Sequence, residues 1–228
     1  MRKFIRFILC LAVVMAMAAG LGAVYVILYE PSRTVHPMRG IDVSHHQKEI
    51  DWRKVARDDV AFAFIKASEG GDYRDTRFAA NWREAQAAGL KVGAYHFFTF
   101  CRPGRDQARN FLDALGQDKG SLPAALDLEF GGNCATKPEP SAIRAEIDSF
   151  LAAVEEQTGR PAILYVTPEF WDAYKDILPR RPLWVRSLFR RPDDEQWSVW
   201  QYHNAGSVDG IVGQVDLNVI RDMAVLTR

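Results

Sequence analysis

From Arg39 onward, short apolar runs alternate with amphipathic stretches, and this alternation restricts the chain to an α/β fold. The candidate strands are 40–43, 60–67, 91–98, 124–130, 162–166, 183–186, 198–202 and 214–219. Several are nearly continuous hydrophobic runs, as in strands buried on both faces. Helical stretches fall at 51–57, 76–88, 106–115, 141–158 and 169–177. In the fourth, Ile143, Ile147, Phe150, Leu151 and Val154 form one stripe before Gly159 and Pro161 end it. The last three strands lack helical partners. Eight strands and five helices in this order predict a parallel sheet closed into a single irregular β/α barrel.

The N-terminus is a separate unit. Arg2, Lys3 and Arg6 precede an uncharged run from Phe7 to Tyr29. That run is longer than the apolar core of a secretory signal and long enough to span a bilayer. Ala16-Met17-Ala18 also offers a cleavage site of small residues. Residues 1–29 are therefore expected to be a signal-anchor or signal peptide, 30–38 a linker with two prolines, and 39–228 the barrel domain. The basic start places the barrel outside the cytoplasm. The expected location is the inner membrane, with the domain facing the periplasm or cell exterior, or secretion after cleavage. Equal numbers of basic and acidic residues, 29 of each, give no electrostatic reason to expect nucleic acid.

The carboxylates fall at strand ends. Asp42 lies near the end of the first strand and Glu69 follows the second. Asp127 and Glu129 close the fourth, and Asp216 sits in the last. In β/α barrels the carboxyl ends of the strands form the active site, so these acids are expected to converge on one mouth. An acid inside an apolar strand is costly unless paired. Asp127 and Glu129 alternate with Leu128 and should share a side of the strand, their Cα atoms roughly 7 Å apart. Crowded carboxylates separate into a protonated acid and an ionised partner. Glycoside hydrolysis needs that division. A lone Asp-x-Glu could equally be a capped strand end; acids at several strand ends weigh against it.

Tyr95, Tyr165, Trp184, Trp200 and Tyr202 occur in or beside the same strands, and with Glu69 they are candidate substrate-binding residues, since aromatic faces suit sugar rings. Ordinary core packing is the competing reading for each. Trp52, Trp82 and His96 read as core. Clustered acids could bind a hard cation, but calcium-loop and zinc-site spacings are both missing, so neither metal nor cofactor is expected. Cys101 and Cys134 form an even pair in the exported part, following the third and fourth strands, and are expected to form a disulfide beside the mouth.

The sequence resembles glycoside hydrolase family 25, lysozymes that cleave between N-acetylmuramic acid and N-acetylglucosamine. The likeness rests on Gly40-Ile41-Asp42-Val43-Ser44, Phe64-Ile65-Lys66-Ala67-Ser68-Glu69-Gly70 and Gly93-Ala94-Tyr95-His96-Phe97. It continues through Leu126-Asp127-Leu128-Glu129, Trp200-Gln201-Tyr202 and Val215-Asp216-Leu217-Asn218. The resemblance implies a flattened β/α barrel of eight strands and five helices, and peptidoglycan glycan strands as substrate. It makes Glu129 the general acid/base and gives Asp127 the developing positive charge, or the orienting of the acetamido group. Asp42 and Asp216 match the family's other two acids, and the cysteine pair resembles a subgroup. A monomer is expected. The alternatives are another glycosidase, such as a chitinase, and a non-catalytic wall-glycan-binding protein.

Overall fold

Direct pairing of the first strand with the second closes the sheet. The structure, a computed structural model, describes residues 2–135, 137–193 and 196–221. Helix α1 (Arg2–Leu28) is a unit by itself; Phe4–Leu28 is long and apolar enough to cross a membrane. The remaining elements, in chain order, are β1 (Arg39–Val43), α2 (Trp52–Arg57), β2 (Phe62–Glu69), β3 (Tyr73–Arg74), α3 (Phe78–Ala87) and β4 (Lys91–Phe97). Then come α4 (Gly104–Leu115), β5 (Ala125–Leu128), α5 (Pro140–Thr158), β6 (Ile163–Val166) and α6 (Pro168–Tyr174). The last are β7 (Leu183–Arg186), β8 (Trp197–Gly206) and β9 (Val215–Ile220).

The strand order around the barrel is β1-β9-β8-β7-β6-β5-β4-β2, with β2 returning to β1. Eight strands make the barrel, and β3 is a two-residue hairpin arm on β2. The five helices α2–α6 match the expected stretches, the last prolonged by a 3-10 turn at Lys175–Ile177. Local chemistry explains their ends. The Asp51 side chain caps α2 at the Lys54 amide, and Thr167 caps α6 before Pro168. Gly159 adopts φ 76 to end α5.

One expectation is corrected. The sheet is not wholly parallel, because β9 runs antiparallel to both β1 and β8. The connection from β8 to β9 is too short for a crossover helix, so the chain must turn back. Pro31–Arg228 forms one compact unit. Within it His36 is buried, its ring 5.4 Å from that of Trp197.

The floor of the barrel is apolar, built from Phe62, Phe64, Leu122, Ala125, Ile163, Trp184 and Val199. Gly40 makes room for the Phe62 ring, which would lie 2.3 Å from any added Cβ. Outside, α4 and α5 pack through Phe111 and Phe150, with His96 between strand and helices. Trp52, Trp82 and His96 are all core residues. His96 is neutral: burial lowers it to about 3, and Ser68 and Gln107 bracket its ring at 2.8 and 3.2 Å.

Gly104 opens α4 where it touches α5, and a Cβ there would stand 1.9 Å from the Glu146 carbonyl oxygen. Gly104→Ala should therefore push the two helices apart and cost about 1–3 kcal/mol, as overpacking does. Thermal denaturation of the variant against the parent checks it.

Candidate active site

Four of the acids meet at the barrel mouth. Asp42 and Asp216 are directly opposed across the antiparallel β1–β9 pair. Because β9 runs backwards, it is the start of this strand that lies beside the end of β1. Asp216 thus reaches the mouth from the opposite direction to the other acids. Asp127 is in β5, and Glu129 lies one residue past its end. All four line two adjoining lobes of a cleft, of 340 and 160 Å³. Glu69 lines the larger lobe, Tyr165 and Trp184 the smaller, and Tyr95 both.

Asp42 is anchored more closely than any other acid of the cleft. Its Oδ2 accepts hydrogen bonds from Asn218 Nδ2 at 2.7 Å and Gln201 Nε2 at 3.0 Å. Those amides are themselves held: Tyr165 Oη donates to Gln201 Oε1 at 3.0 Å, and Trp184 Nε1 donates to Asn218 Oδ1 at 2.8 Å. Each amide is oriented by what it accepts, so its NH₂ must face Asp42. Burial raises Asp42, while Asn218, Gln201 and Asp216 oppose the rise by hydrogen bonding to its ionised form. Asp216 is pushed up to about 9, by burial first and then by the Asp42 charge. Asp216 therefore keeps its proton well above the usual carboxylate range, with a hydrogen bond joining it to Asp42.

Burial likewise raises Asp127 well above the usual carboxylate range, with the Glu129 charge adding to it. Glu129 is raised by burial and moderated by Arg186, whose guanidinium lies 3.9 Å from its carboxylate. Asp127 Oδ1 is buried without a hydrogen-bond partner. Lys66, in β2, supplies the other cation; it is 8% exposed, pairs with Glu69 at 2.7 Å and lies 4.9 Å above the Phe97 ring. Both cations favour the ionised form of Asp127.

Two candidate residues are not brought to the cleft. Trp200 and Tyr202 are 1% and 0% exposed and line neither lobe. Gln201 between them points inward to Asp42, so strand alternation turns both rings outward. Trp200 packs on Trp197 and donates to the Ser187 carbonyl. Conversely, Lys66, Arg186, Gln201 and Asn218 went unread as site residues. A cation in the apolar run 62–67 was a signal of the same kind as the acids.

The disulfide Cys101–Cys134, with Cα atoms 6.0 Å apart, ties the segments after β4 and β5. Asn133 reinforces it, donating to the carbonyls of Phe98 and Glu129 at 2.7 and 2.9 Å and accepting from the Phe100 amide. The tie thus fixes the backbone of Glu129 itself. Replacing both cysteines with serine should cost roughly 3–4 kcal/mol in the chain-entropy model. Denaturant unfolding measures it. The raised acids give a second expectation. Above the unfolded value of 3.8, the folded domain keeps a proton on Asp216 that the unfolded chain releases. Stability should fall as pH rises toward about 9. Asp216→Asn should flatten that fall in denaturation curves taken across this range.

The profile of glycosyl hydrolases family 25 matches residues 41–211. The Escherichia coli (strain K12) protein YegX is 39% identical over 197 residues, covering 82% of this chain and 70% of that protein. Lysozyme M1 of Streptomyces globisporus is 35% identical over 209 residues, with the same coverages. Among solved structures, a family 25 glycosyl hydrolase from Bacillus anthracis superposes with a TM-score of 0.79 at 34% identity, over 85% of this chain and 93% of that one. The closed barrel, its acid-lined mouth and a profile match over most of the chain agree: this protein belongs to glycosyl hydrolase family 25.

Proposed function

We propose that the protein is a membrane-anchored muramidase that hydrolyses the β-1,4 bond between N-acetylmuramic acid and N-acetylglucosamine in peptidoglycan. The observation that carries this reading is the placement of Asp127 and Glu129 on one wall of a cleft that also holds the Asp42–Asp216 pair. Relatives named as lysozymes support the substrate class.

In this reading Glu129 is the proton donor. It sits at the strand end with its side chain 23% exposed, so the glycosidic oxygen can reach it. Burial raises its pKa, which favours the protonated form that a donor needs. As the bond breaks, the leaving oxygen takes that proton and positive charge grows at the anomeric carbon. Asp127 serves that charge, directly or by orienting the acetamido group. Burial raises Asp127, while Lys66 and Arg186 act the other way and favour the carboxylate that serves this charge. Glu129, now a carboxylate, then accepts a proton from the water that completes hydrolysis. Asp42 and Asp216 form a fixed polar wall joined by a hydrogen bond.

Digestion of peptidoglycan by the full chain in detergent, followed by reduction of the new sugar ends, tests the bond assignment. Muramitol ends are expected; glucosaminitol ends would mean a glucosaminidase, and no release a binding protein. Glu129→Gln should lower turnover roughly 100-fold or more. On an activated substrate whose leaving group needs no proton, Glu129→Gln should recover and Asp127→Asn should not. Rescue of the Asp127 variant instead would reverse the roles.

The uncharged run behind Arg2, Lys3 and Arg6 supports an uncleaved anchor with the barrel outside the cytoplasm. Mass spectrometry of the mature protein should find the segment intact. A chain beginning near Ala19 would show a cleaved signal.

A further inference from the structure

Among the described residues no helix joins β7 to β8, and a cavity of 350 Å³ lies on the outer side of the barrel there, between α6 and the segment after β7. Its size is that of a small-ligand site. Val185 and Trp197 give it an apolar lining, and Trp171 of α6 contributes an aromatic wall. The Trp197 indole nitrogen is buried and has no hydrogen-bond partner among the described residues. Charges of both signs stand around it: Asp172 on α6, and Arg190, which is 73% exposed and pairs with Asp193 at 3.0 Å.

One residue joins this cavity to the catalytic cleft. Arg186, the last residue of β7, lines both. Its guanidinium lies 3.9 Å from Glu129 on one side and 3.5 Å from Glu169 of α6 on the other. Whatever branches from a sugar held at Glu129 therefore has a second compartment one arginine side chain away.

We infer that this cavity receives the peptide stem carried by the muramic acid residue in the cleft. The inference rests on the muramidase reading, because that substrate is a glycan with a short peptide on every second sugar. Two or three extended residues span roughly 7–10 Å, enough to pass Arg186. A stem peptide carries carboxylates, an amino group on its dibasic residue, and small apolar side chains. The cavity answers each: arginines for the carboxylates, Asp172 for the ammonium, and Val185, Trp171 and Trp197 for the methyl groups. Bare chitin-like glycan carries no peptide and hence neither the carboxylates nor the ammonium, so the cavity discriminates between peptidoglycan and other N-acetylhexosamine polymers.

The test compares two soluble substrates, glycan strands bearing tetrapeptide stems and the same strands stripped of peptide by an amidase. Asp172 and Arg190 are exposed, so their charge reversal leaves the barrel core alone. With the full chain in detergent, Asp172→Lys and Arg190→Glu should each lower the ratio of kcat/KM on stem-bearing over stripped strands about tenfold, through KM. An unchanged ratio, including an equal loss on both substrates, overturns the inference and leaves the muramidase reading standing. Failure of the parent protein to cut either substrate overturns both.

Discussion

The site is organised around a carboxylate that the fold has to keep inside. Asp42 is 8% exposed, in a strand whose neighbours are apolar. A buried carboxylate is tolerated only when hydrogen bonds replace its water. Here the replacements come from β8 and β9 through Gln201 and Asn218, and from Asp216 opposite. Tyr165 of β6 and Trp184 of β7 lock those amides in turn. Four other strands thus answer to one acid. The aromatic rings expected to serve sugars also act here through their polar ends, which orient the network beneath the cleft.

Much of this was legible in the residues, and the parts that were not have physical causes. Strand and helix positions followed from hydrophobic period and from stops such as Gly159 and Pro161, which are local properties. The direction of β9 is not local. It depends on how far the chain travels after β8, a strand that continues with register shifts to Gly206. Asp216 was placed at the mouth by a rule for parallel strands and arrives there because its strand is antiparallel.

Side-chain direction was the harder problem. In Trp200-Gln201-Tyr202 the period of two puts the rings on one face and the amide on the other, but does not say which face is inside. Hydrophobicity favours the rings. The need of Asp42 for donors decides for the amide, and that need appears only once β1, β8 and β9 are adjacent. Lys66 and Arg186 went unassigned for a related reason: each is read against acids on other strands. The segment 30–38 looked like a linker because it is polar and proline-bearing, yet His36 finds a place against Trp197 that no local pattern announces.

The strand order has a bearing on when the enzyme can act. β9 lies between β1 and β8, so the last strand among the described residues is a stave the first strand cannot close without. Asp42 emerges early but is without Asn218 and Asp216 until that stave is in place. A chain that stops short of β9 therefore holds an unfinished barrel and an acid without two of its partners. For a glycoside hydrolase the topology works as a timing device: catalytic competence comes only once β9 is in place.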